Sequence, residues 1–591
     1  MPHPPATLYR LQTSFAQRWL AWVLLIWAAA AAGFLYQRWG SIHWFALGDT
    51  DDNLRLLQVR AWLDGQDWYD LRQYKLNPPH GADLHWTRLI DLPIAALILI
   101  ARMFTTPIGA EKFAVAVAPL LPLFVAMTGV ALTARRLIDP RAAVLAALLL
   151  IFCQSTMSMF MPLRIDHHGW QLAAVAVMVA GLVDPHQRRG GITVGWASAV
   201  SMTIGIEMIA YLAIAGAALA FRWIIEANQG MRLRAYSLTL SLGIVAGYYG
   251  FASYDNALPR CDALTPVWAS TLCVAGILLA MLSYSKTRST SARFAFASVA
   301  GALLALGFAL LSPQCAGRPE GVSLELDQLW LSNIREAKPL YAQRWVTILP
   351  ASLAAFGIIG GLIATMRAKD IAPWLSVLLL SLCAGALMMW QTRASPAALM
   401  LAVPGATALC WMITAWLRTR VTWPVTMIGG AVIITLISGI GLQIVNKINP
   451  PAAPSAHMIT VNMANRQCPT LPALRPIAQL PATTIFTFVD LGPRLVTMTH
   501  HNAIAGPYHR NSEAILDVHH AFRGTPEAAR AIIKRHGATL LLICPNFSES
   551  TIYKVQNPDG FYAQLAKGRV PAWLDPVPLP ERSPYKLWRV K

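Results

Sequence analysis

The sequence predicts an all-α, polytopic membrane bundle that is followed by a smaller α/β domain. Of its 591 residues, 55% are hydrophobic and 13% are charged, whereas soluble domains usually carry about 25% charged residues. Apolar runs long enough to cross a bilayer, about 17–25 residues, recur as far as residue 445 and then stop. This composition excludes a disordered chain and an ordinary cytosolic enzyme.

The candidate spans are apolar runs with few charges. They lie at 19–36, 90–107, 113–134, 141–159, 169–183, 191–206, 207–226, 234–252, 265–284, 293–312, 346–366, 372–390, 395–417 and 423–445. Asp91, Pro93 and Arg102 interrupt the second run. We interpret that run as a re-entrant or interfacial helix, so about thirteen spans are expected. A cleaved signal peptide is the alternative for the first run, but its removal would leave the following loop without an anchor.

Basic residues between the runs predict the orientation of the bundle. They cluster at Arg135, Arg136 and Arg141, at Arg188 and Arg189, at Arg232 and Arg234, at Lys286, Arg288 and Arg293, at Arg367 and Lys369, and at Arg418 and Arg420. Such clusters collect in cytoplasmic loops, and all of them fall on one side when the run at 90–107 is not counted as a span. The N-terminus is then cytoplasmic, while the loops at 37–112 and 313–345 and the C-terminal tail lie outside. Topology therefore explains much of the net charge of +19, and we expect no nucleic-acid partner.

The division of the chain follows from the change in pattern after residue 445. Residues 1–445 form the predicted transmembrane domain, and residues 446–591 form the predicted extracytoplasmic α/β domain. Short apolar runs at 484–489 and 538–544 are typical of buried strands, with a helix at 525–536 between them. We expect an integral protein of a bacterial inner membrane whose C-terminal domain is periplasmic.

Four cysteines fall in segments that are predicted to lie outside the membrane, where disulfides form. They are Cys261, Cys315, Cys468 and Cys544. The neighbouring segments favour a bond between Cys261 and Cys315 and another between Cys468 and Cys544, although the sequence alone leaves the connectivity open.

Acidic residues of the first outer loop are the first candidate ligands of a metal ion. Asp49, Asp51 and Asp52 lie close together in this loop, and hard divalent cations prefer oxygen ligands. The alternative is a solvated helix N-terminus, where aspartate caps the helix and complements its dipole. The loop by itself favours neither interpretation.

Ionisable residues recur in later outer segments. Asp166 and His168 lie at the mouth of a predicted span, where polar groups often mark function, and an extended segment can direct both side chains to one metal. An interfacial cluster that faces lipid headgroups is the alternative. Glu336 lies in the loop at 313–345, and Arg393 opens a later span at its outer end. An arginine there is either a snorkelling anchor or a ligand of phosphate oxygens.

The order and spacing of these motifs over residues 40–420 resemble the catalytic subunit of oligosaccharyltransferases, which belongs to the GT-C superfamily of membrane glycosyltransferases. Asp51 stands nine residues before Arg60, in a register similar to that of the family's first-loop aspartate. Asp166-His167-His168 resembles the DHH motif of archaeal members. Asn333-Ile334-Arg335-Glu336 resembles the family's Ser/Thr-x-x-Glu motif, with asparagine in the first position.

The resemblance implies a metal-dependent enzyme that uses a polyprenyl-linked donor. The metal, Mg²⁺ or Mn²⁺, would be held by Asp51, Asp166, His168 and Glu336, and the catalytic residues would be Asp51, Asp166 and Glu336. Arg393 would bind the phosphate of a polyprenyl-phosphate or polyprenyl-pyrophosphate sugar. The expected partners are this donor, the membrane lipid and an extracytoplasmic acceptor.

The C-terminal domain departs from the family's pattern. The family has a Trp-Trp-Asp-Tyr-Gly motif that reads the glycosylation sequon, whereas the nearest segment here, 488–492, contains neither tryptophan. The segment therefore does not predict transfer to the Asn-x-Ser/Thr sequon, and the expected acceptor is a glycan, a lipid or another protein motif. The acceptor-side candidates are Asp490, His500, His501, Tyr508 and His509, for which a polar surface loop is the alternative.

Two other functions are alternatives. One is a GT-C transferase that adds a single sugar to a lipid or a polysaccharide. The other is a non-enzymatic transporter or flippase of lipid-linked sugars. A transporter should carry ionisable groups near the middle of the membrane and often has repeated halves. Here such groups crowd the predicted outer loops, and no repeat is evident in the sequence.

Overall fold

The described part of the chain, residues 13–448, 450 and 452–591 of a computed structural model, is mainly helical. Its helices up to residue 448 are Trp19–Gln37, Trp39–His43, Thr50–Leu63, Asp91–Arg102, Pro107–Val117, Leu120–Leu137, Ala142–Ile151, Gln154–Ser158, His168–Leu182, Gln187–Ile204, Ile209–Ile225, Gly230–Phe251, Pro266–Ser283, Thr290–Leu311, Leu324–Leu329, Trp345–Ile348, Ser352–Arg367, Ile371–Trp390, Ser395–Arg418, Trp423–Ile437 and Val445–Ile448. Each predicted apolar run contains a helix, as a bilayer requires because backbone groups in lipid must bond internally. The predicted fold class, a helical membrane bundle followed by a small α/β part, is confirmed.

Seven helical segments are long and apolar enough to cross a membrane. They are Trp19–Gln37, Pro107–Leu137, Pro266–Ser283, Thr290–Leu311, Trp345–Arg367, Ile371–Trp390 and Thr392–Arg418. The pair Trp423–Ile437 and Gly441–Ile448, bent by 73°, makes an eighth if it is one span. Several remaining helices of the bundle are shorter or more polar, so the expected total of about thirteen spans stays a prediction.

The run at 90–107 is helical only over Asp91–Arg102, which is 12 residues. With a rise of 1.5 Å per residue this helix is about 18 Å long, whereas the hydrocarbon core of a bilayer is about 30 Å thick. Leu99 and Ile100 are exposed on one face, while Asp91 is buried at its start. The length agrees with the predicted re-entrant or interfacial helix.

Residues after 455 fold around a five-stranded sheet of order β2-β1-β3-β5-β4. The strands are β1 (Thr484–Phe486), β2 (Asn502–Ala503), β3 (Leu540–Ile543), β4 (Leu574–Pro576) and β5 (Lys586–Val590), and the helices are Ala456–Gln467, Leu471–Ala478, Gly492–Met498, Ser512–Arg523, Pro526–Arg535, Ser548–Gln556 and Phe561–Ala566. The first three strands are parallel, and β5 is antiparallel to both β3 and β4. All residues of β3 are buried, as expected for a central strand covered on both faces.

Strand β1 ends earlier than the predicted strand at 484–489. The chain turns after Phe486, and the N–H of Gly492 donates to the carbonyl of Phe488 at 3.1 Å. Pro493 lies in the first turn of the next helix, where proline is favoured because its missing N–H costs nothing there. The turn puts Asp490 just beyond the carboxyl end of a parallel strand.

The first outer loop packs into the same hydrophobic core as the C-terminal sheet. Leu54, Leu57 and Trp86 of this loop are buried together with the residues of that sheet. The edge strand is also paired by the loop, since the N–H of Asn77 donates to the carbonyl of Ala503 at 2.9 Å. These contacts fix the position of the first outer loop relative to the residues after 455.

A fully buried charge cluster lies beneath the helix Thr50–Leu63. Asp91 pairs with Arg55 at 3.0 Å and with Arg88 at 3.2 Å, and all three side chains are at most 1% exposed. Gln58 also donates to Asp91 at 2.7 Å. Buried charges require partners of this kind, so the cluster holds the first outer loop in one arrangement.

Two disulfides cross-link the segments that are predicted to lie outside. Cys261 is bonded to Cys315, and Cys468 is bonded to Cys544. The first joins two outer loops of the bundle, and the second joins the helical start of the C-terminal part to the end of β3. The other cysteines of the chain are free and lie in apolar helices or next to one.

Stability of the C-terminal part should fall in mild acid because of His519. Burial, together with Arg523 and His520, lowers the pKa of His519 to about 4, and neither ring nitrogen has a hydrogen-bond partner in the described chain. The unfolded state takes up a proton below its usual pKa of about 6.5, so stability should be lost as the pH falls from about 6.5 to about 4, by up to about 3 kcal/mol.

The measurement is the unfolding temperature as a function of pH, followed by tryptophan fluorescence. We expect H519L to lose most of the acid dependence, whereas H520Q, at a half-exposed neighbour, should keep it. An unchanged acid dependence in H519L would contradict this assignment.

Candidate functional site

The helix Thr50–Leu63 begins with an aspartate cap, which is followed by two aspartates that differ in burial. The side chain of Asp49 accepts a hydrogen bond from the N–H of Asp51 at 3.1 Å, which satisfies a free donor of the first turn. Asp52 is 1% exposed, while Asp51 is partly buried. The carboxylate of Asp51 has no hydrogen bond or ion pair within the described residues. Capping and a carboxylate cluster are therefore both present in this loop.

Asp52 attaches the second outer loop to this helix. Its Oδ1 accepts the N–H of Ile165 at 2.8 Å and the N–H of Asp166 at 3.2 Å. The N–H of His168 in turn donates to the carboxylate of Asp166 at 3.1 Å. These bonds bring the two predicted acidic segments, which are more than 100 residues apart in sequence, into direct contact.

Arg164 neutralises part of this acidic cluster. It pairs with Asp166 at 2.6 Å and with Asp52 at 3.4 Å, and it also contacts Asp49. Burial acts to lower the pKa of Arg164, but Asp166, Asp52 and Asp49 outweigh it and raise the pKa. Four carboxylates, those of Asp49, Asp51, Asp52 and Asp166, thus face a single guanidinium.

The acidic cluster shifts the pKa values of two predicted carboxylate ligands, Asp51 and Asp166, in opposite directions. Burial, followed by Asp49 and Asp166, raises the pKa of Asp51 to about 7. Burial also acts to raise the pKa of Asp166, but the charges of Arg164 and His168 outweigh it and the pKa is lowered. His168 lies close enough to both carboxylates to favour their charged forms.

His167, between Asp166 and His168, extends the site to Glu207. His167 lies 2.9 Å from Glu207, and Gln171 donates to the same carboxylate at 2.5 Å. Partial burial acts to raise the pKa of Glu207, but His167 and His168 hold it well below its usual range. The second nitrogen of His167, Nδ1, is buried and has no partner in the described chain.

The C-terminal part contributes Tyr508 and Asp490 to this region. The hydroxyl of Tyr508 donates to the carbonyl of Thr50 at 3.1 Å, at the start of the acidic helix. Burial, followed by Asp49, raises the pKa of Asp490 to about 6. The N–H of Asp490 donates to the buried carboxylate of Glu549 at 2.7 Å, which fixes the turn that carries it.

The remaining acceptor-side candidates have different surroundings. His500 is hydrogen-bonded to the carbonyl of Leu480 at 2.7 Å, and His501 is hydrogen-bonded to the carbonyl of Ile477 at 2.8 Å. Both rings therefore anchor the loop before β2 to the end of a helix. An acceptor-binding role for either ring stays a prediction.

His509 lies in a separate group with His85 and Asp262. His509 is 2.6 Å from the carboxylate of Asp262, and its ring centre is 4.9 Å from that of His85. One ligand atom from each residue lies within 4.8 Å of the others, and no other trio of possible ligands in the described ranges meets this limit. Burial, followed by His509, holds the pKa of His85 well below its usual range.

Glu336 and Arg393 lie together, in exposed turns. Glu336 is in the turn Arg335–Ala337 and Arg393 is in the turn Thr392–Ala394. The carbonyl of Lys338 links the two turns by accepting from Thr392 at 2.9 Å. Arg393 is 3.6 Å from Glu320. No hydrogen bond or ion pair within the described residues joins either side chain to Asp51 or Asp166.

Several residues of the site were not singled out from the sequence. His167 is named only as part of the segment Asp166-His167-His168, and Arg164 stands two residues before this segment, so the roles of both became visible only through their contacts. Asp52 is a candidate ligand from the sequence, but its bonds to Ile165 and Asp166 attach the second outer loop. Asp262 has one sequence signal, its position next to Cys261, which is predicted to be disulfide-bonded in an outer loop. Nothing in the sequence connects it with residue 509.

No protein-family model matches this chain, and no curated protein sequence matches it. Solved structures do. The oligosaccharyltransferase AglB from Archaeoglobus fulgidus, in complex with an inhibitory peptide and a dolichol-phosphate, is 14% identical and has a TM-score of 0.68, covering 94% of this chain and 72% of that one. ArnT from Cupriavidus metallidurans, bound to undecaprenyl phosphate, is 13% identical with a TM-score of 0.53, covering 96% of this chain and 98% of that one.

A further structure of the Archaeoglobus oligosaccharyltransferase was solved with Zn and sulfate. It is 13% identical to this chain and has a TM-score of 0.58, covering 88% of this chain and 67% of that one. At such identities the likeness shows the fold alone. The resemblance drawn from the sequence motifs is confirmed at that level, and the chain has the GT-C fold of these membrane glycosyltransferases.

Proposed function

We propose that this chain is an integral membrane glycosyltransferase that moves a sugar or an oligosaccharide from a polyprenyl-phosphate or polyprenyl-pyrophosphate donor to an extracytoplasmic acceptor. The observation that carries the proposal is the junction of the first two outer loops, where Asp52, the neighbour of Asp51, accepts the N–H of Asp166 at 3.2 Å, in a chain with the GT-C fold. Two structures of this fold were solved with polyprenyl phosphates, dolichol-phosphate and undecaprenyl phosphate.

The carboxylates at this junction are the type of ligand that a divalent cation, Mg²⁺ or Mn²⁺, prefers, although no three of the ligand atoms there lie within 4.8 Å of one another in the described chain. Four carboxylates there face one guanidinium, and the oxygens of Asp51 have no hydrogen bond or ion pair elsewhere in the described chain. Asp51, Asp166 and His168 would hold the ion, with Glu336 as the fourth predicted ligand. When bound, such an ion supplies Lewis acidity for the phosphate leaving group.

The residues of the chain itself would orient the donor and the acceptor. Arg393 is half-exposed: its Nε donates to Gln391 at 2.6 Å, and its Nη2 has only a long ion pair to Glu320. The outer edge of its planar fork can therefore bind phosphate oxygens. For Glu336 to act at the acidic junction, the loop at 313–345 must move toward it. Of the acceptor-side candidates, Tyr508 is hydrogen-bonded to the start of the acidic helix at 3.1 Å, and Asp490 lies near enough to Asp49 for its pKa to be raised.

A second candidate function is the transfer of a single sugar to a lipid or a polysaccharide. It is favoured by the segment 488–492, which has none of the tryptophans of the sequon-reading motif. The two candidates differ in acceptor, so the acceptor decides between them.

We also propose a bacterial inner-membrane location with the C-terminal domain in the periplasm. The disulfides Cys261–Cys315 and Cys468–Cys544 support it, since disulfides persist in oxidising compartments. The boundary at residue 445 fits the last apolar helices, which end at Ile448. Reporter fusions at residues 286 and 591 should give opposite sidedness, with the second outside.

Removal of divalent metal should abolish transfer. We expect the purified full chain to transfer sugar from a labelled polyprenyl-linked donor, and we expect EDTA to lower the rate at least about 100-fold. Mg²⁺ or Mn²⁺ should restore it. Full transfer in EDTA would contradict metal dependence, but it would leave the glycosyltransferase assignment intact.

Mass spectrometry of cells that lack the chain tests the acceptor. Loss of sugar from glycoproteins favours the oligosaccharyltransferase-like function, and loss from a lipid or a polysaccharide favours the second candidate. If glycoproteins, lipids and polysaccharides were all unchanged, and the purified chain were inactive on lipid-linked donors, the proposal would be wrong.

A further inference from the structure

The cluster of His85, Asp262 and His509 joins three distant parts of the chain. His85 lies in the first outer loop, Asp262 lies in the loop between the helices Gly230–Phe251 and Pro266–Ser283, and His509 belongs to the C-terminal part. Their ligand atoms lie within 4.8 Å of one another. Asp262 is buried, while the two histidines are partly buried, so an ion could reach them.

The carboxylate of Asp262 is held in a fixed orientation. Arg510 binds it with two hydrogen bonds, from Nε to Oδ2 and from Nη2 to Oδ1, both at 2.7 Å. Arg510 is itself oriented by Asp83, at 3.1 Å, and Asp83 also contacts Arg260. Partners of this kind commonly position the carboxylate ligands of metal ions. The disulfide at Cys261 adds a further restraint next to Asp262.

The two imidazoles offer nitrogen ligands. Neither ring nitrogen of His85 has a hydrogen-bond partner in the described ranges, although the ring lies between those of His509 and His167. His509 approaches Asp262 at 2.6 Å, so a proton lies between them. Two nitrogens and one carboxylate oxygen form a donor set that suits zinc and similar transition metals, whereas Mg²⁺ and Ca²⁺ prefer oxygen alone.

We propose that His85, Asp262 and His509 form a zinc-type metal site that is separate from the carboxylate junction at Asp51 and Asp166. The ion would displace the proton between His509 and Asp262. It would tie the C-terminal part to two outer loops of the bundle. Three protein ligands leave a fourth position open for water or for an oxygen of a bound substrate.

Zinc content tests this site without any measurement of transfer. The purified full chain is stripped with a chelator, incubated with Zn²⁺ alone, desalted and analysed by mass spectrometry of metals. We expect about one zinc per chain in the wild type and almost none in H85Q or H509Q. H520Q and D51N, which change residues outside the cluster, should retain the zinc. Unchanged zinc in both H85Q and H509Q would overturn the proposal.

Two further measurements keep the test independent of folding. Zn²⁺ should raise the unfolding temperature of the wild type and of H520Q, because a ligand that binds the folded state stabilises it, but it should not raise that of H85Q. X-ray absorption of the zinc-loaded wild type should show two imidazoles at about 2.0–2.1 Å.

A single imidazole with carboxylates would instead place the ion at Asp51, Asp166 and His168. That outcome would overturn the second site and support the metal of the proposed function. Full transfer in EDTA together with normal zinc in D51N would refute the metal of the proposed function and leave the site at His85, Asp262 and His509 in place. Loss of transfer in EDTA together with normal zinc in D51N is the result expected when both sites exist. The two hypotheses therefore fail separately.

Discussion

Replacement of Asp51 by alanine should abolish transfer from a lipid-linked donor while the chain still folds. Asp51 carries a carboxylate with no hydrogen bond or ion pair in the described chain, beside Asp166 and Arg164. Its removal takes away one proposed ligand without leaving a buried partner unpaired. We expect a loss of at least about 100-fold in transfer rate, the usual cost of losing a group that stabilises charge in the transition state.

The matched control is D64N, which removes an exposed carboxylate from the other end of the same helix. It should transfer sugar at nearly the wild-type rate, and both variants should have the wild-type unfolding temperature. Full transfer by D51A would refute the assignment of the junction as the active site.

E336A tests the loop at 313–345 in the same assay. Glu336 lies in an exposed turn, and no hydrogen bond or ion pair joins its side chain to Asp51 or Asp166 in the described chain. We expect transfer to fall as far as in D51A, because the proposed mechanism requires this carboxylate at the junction. Normal transfer by E336A combined with inactive D51A would remove Glu336 from the site and leave the other residues in place.

The largest effect on stability is expected for D91N. This change keeps the shape of the side chain but leaves the guanidiniums of Arg55 and Arg88 buried without a counter-charge. Removal of one partner from a buried ion pair usually costs about 3–5 kcal/mol. Unfolding of the purified chain in denaturant, followed by tryptophan fluorescence, measures the change.

The control for D91N is D255N, in another ion pair of the outer loops. Asp255 pairs with Arg72 at 2.6 Å, and the two side chains are 17% and 35% exposed. Because water screens this pair, its loss should cost no more than about 1 kcal/mol. Equal and small effects of D91N and D255N would show that the buried cluster does not hold the first outer loop.

The helical elements were largely predictable because they depend on local composition. Each apolar run contains a helix, and the interrupted run at 90–107 forms the short helix Asp91–Arg102. The central strand β3 also lies within its predicted segment, since a buried strand is a short apolar run. Strand β1 was predicted too long because its end depends on the turn at Phe488 and on Pro493 rather than on hydropathy.

The site was predictable only in part. Motif order picked out Asp51, Asp166 and His168, and the fold joins their segments through Asp52, while their role as metal ligands stays a prediction. The neutralising role of Arg164 and the attachment role of Asp52 depend on contacts between loops that are more than 100 residues apart. Sequence spacing carries no information about such contacts.

The sequence by itself determined that this chain is a helical membrane bundle with a small α/β part, because hydropathy and charge act on each segment separately. It also determined the motifs that indicate a GT-C fold. Only the tertiary structure decided which polar side chains meet. It packs the first outer loop into the core of the C-terminal sheet, and it gathers His85, Asp262 and His509 from three segments. Such groupings result from packing over the whole chain, and no single segment encodes them.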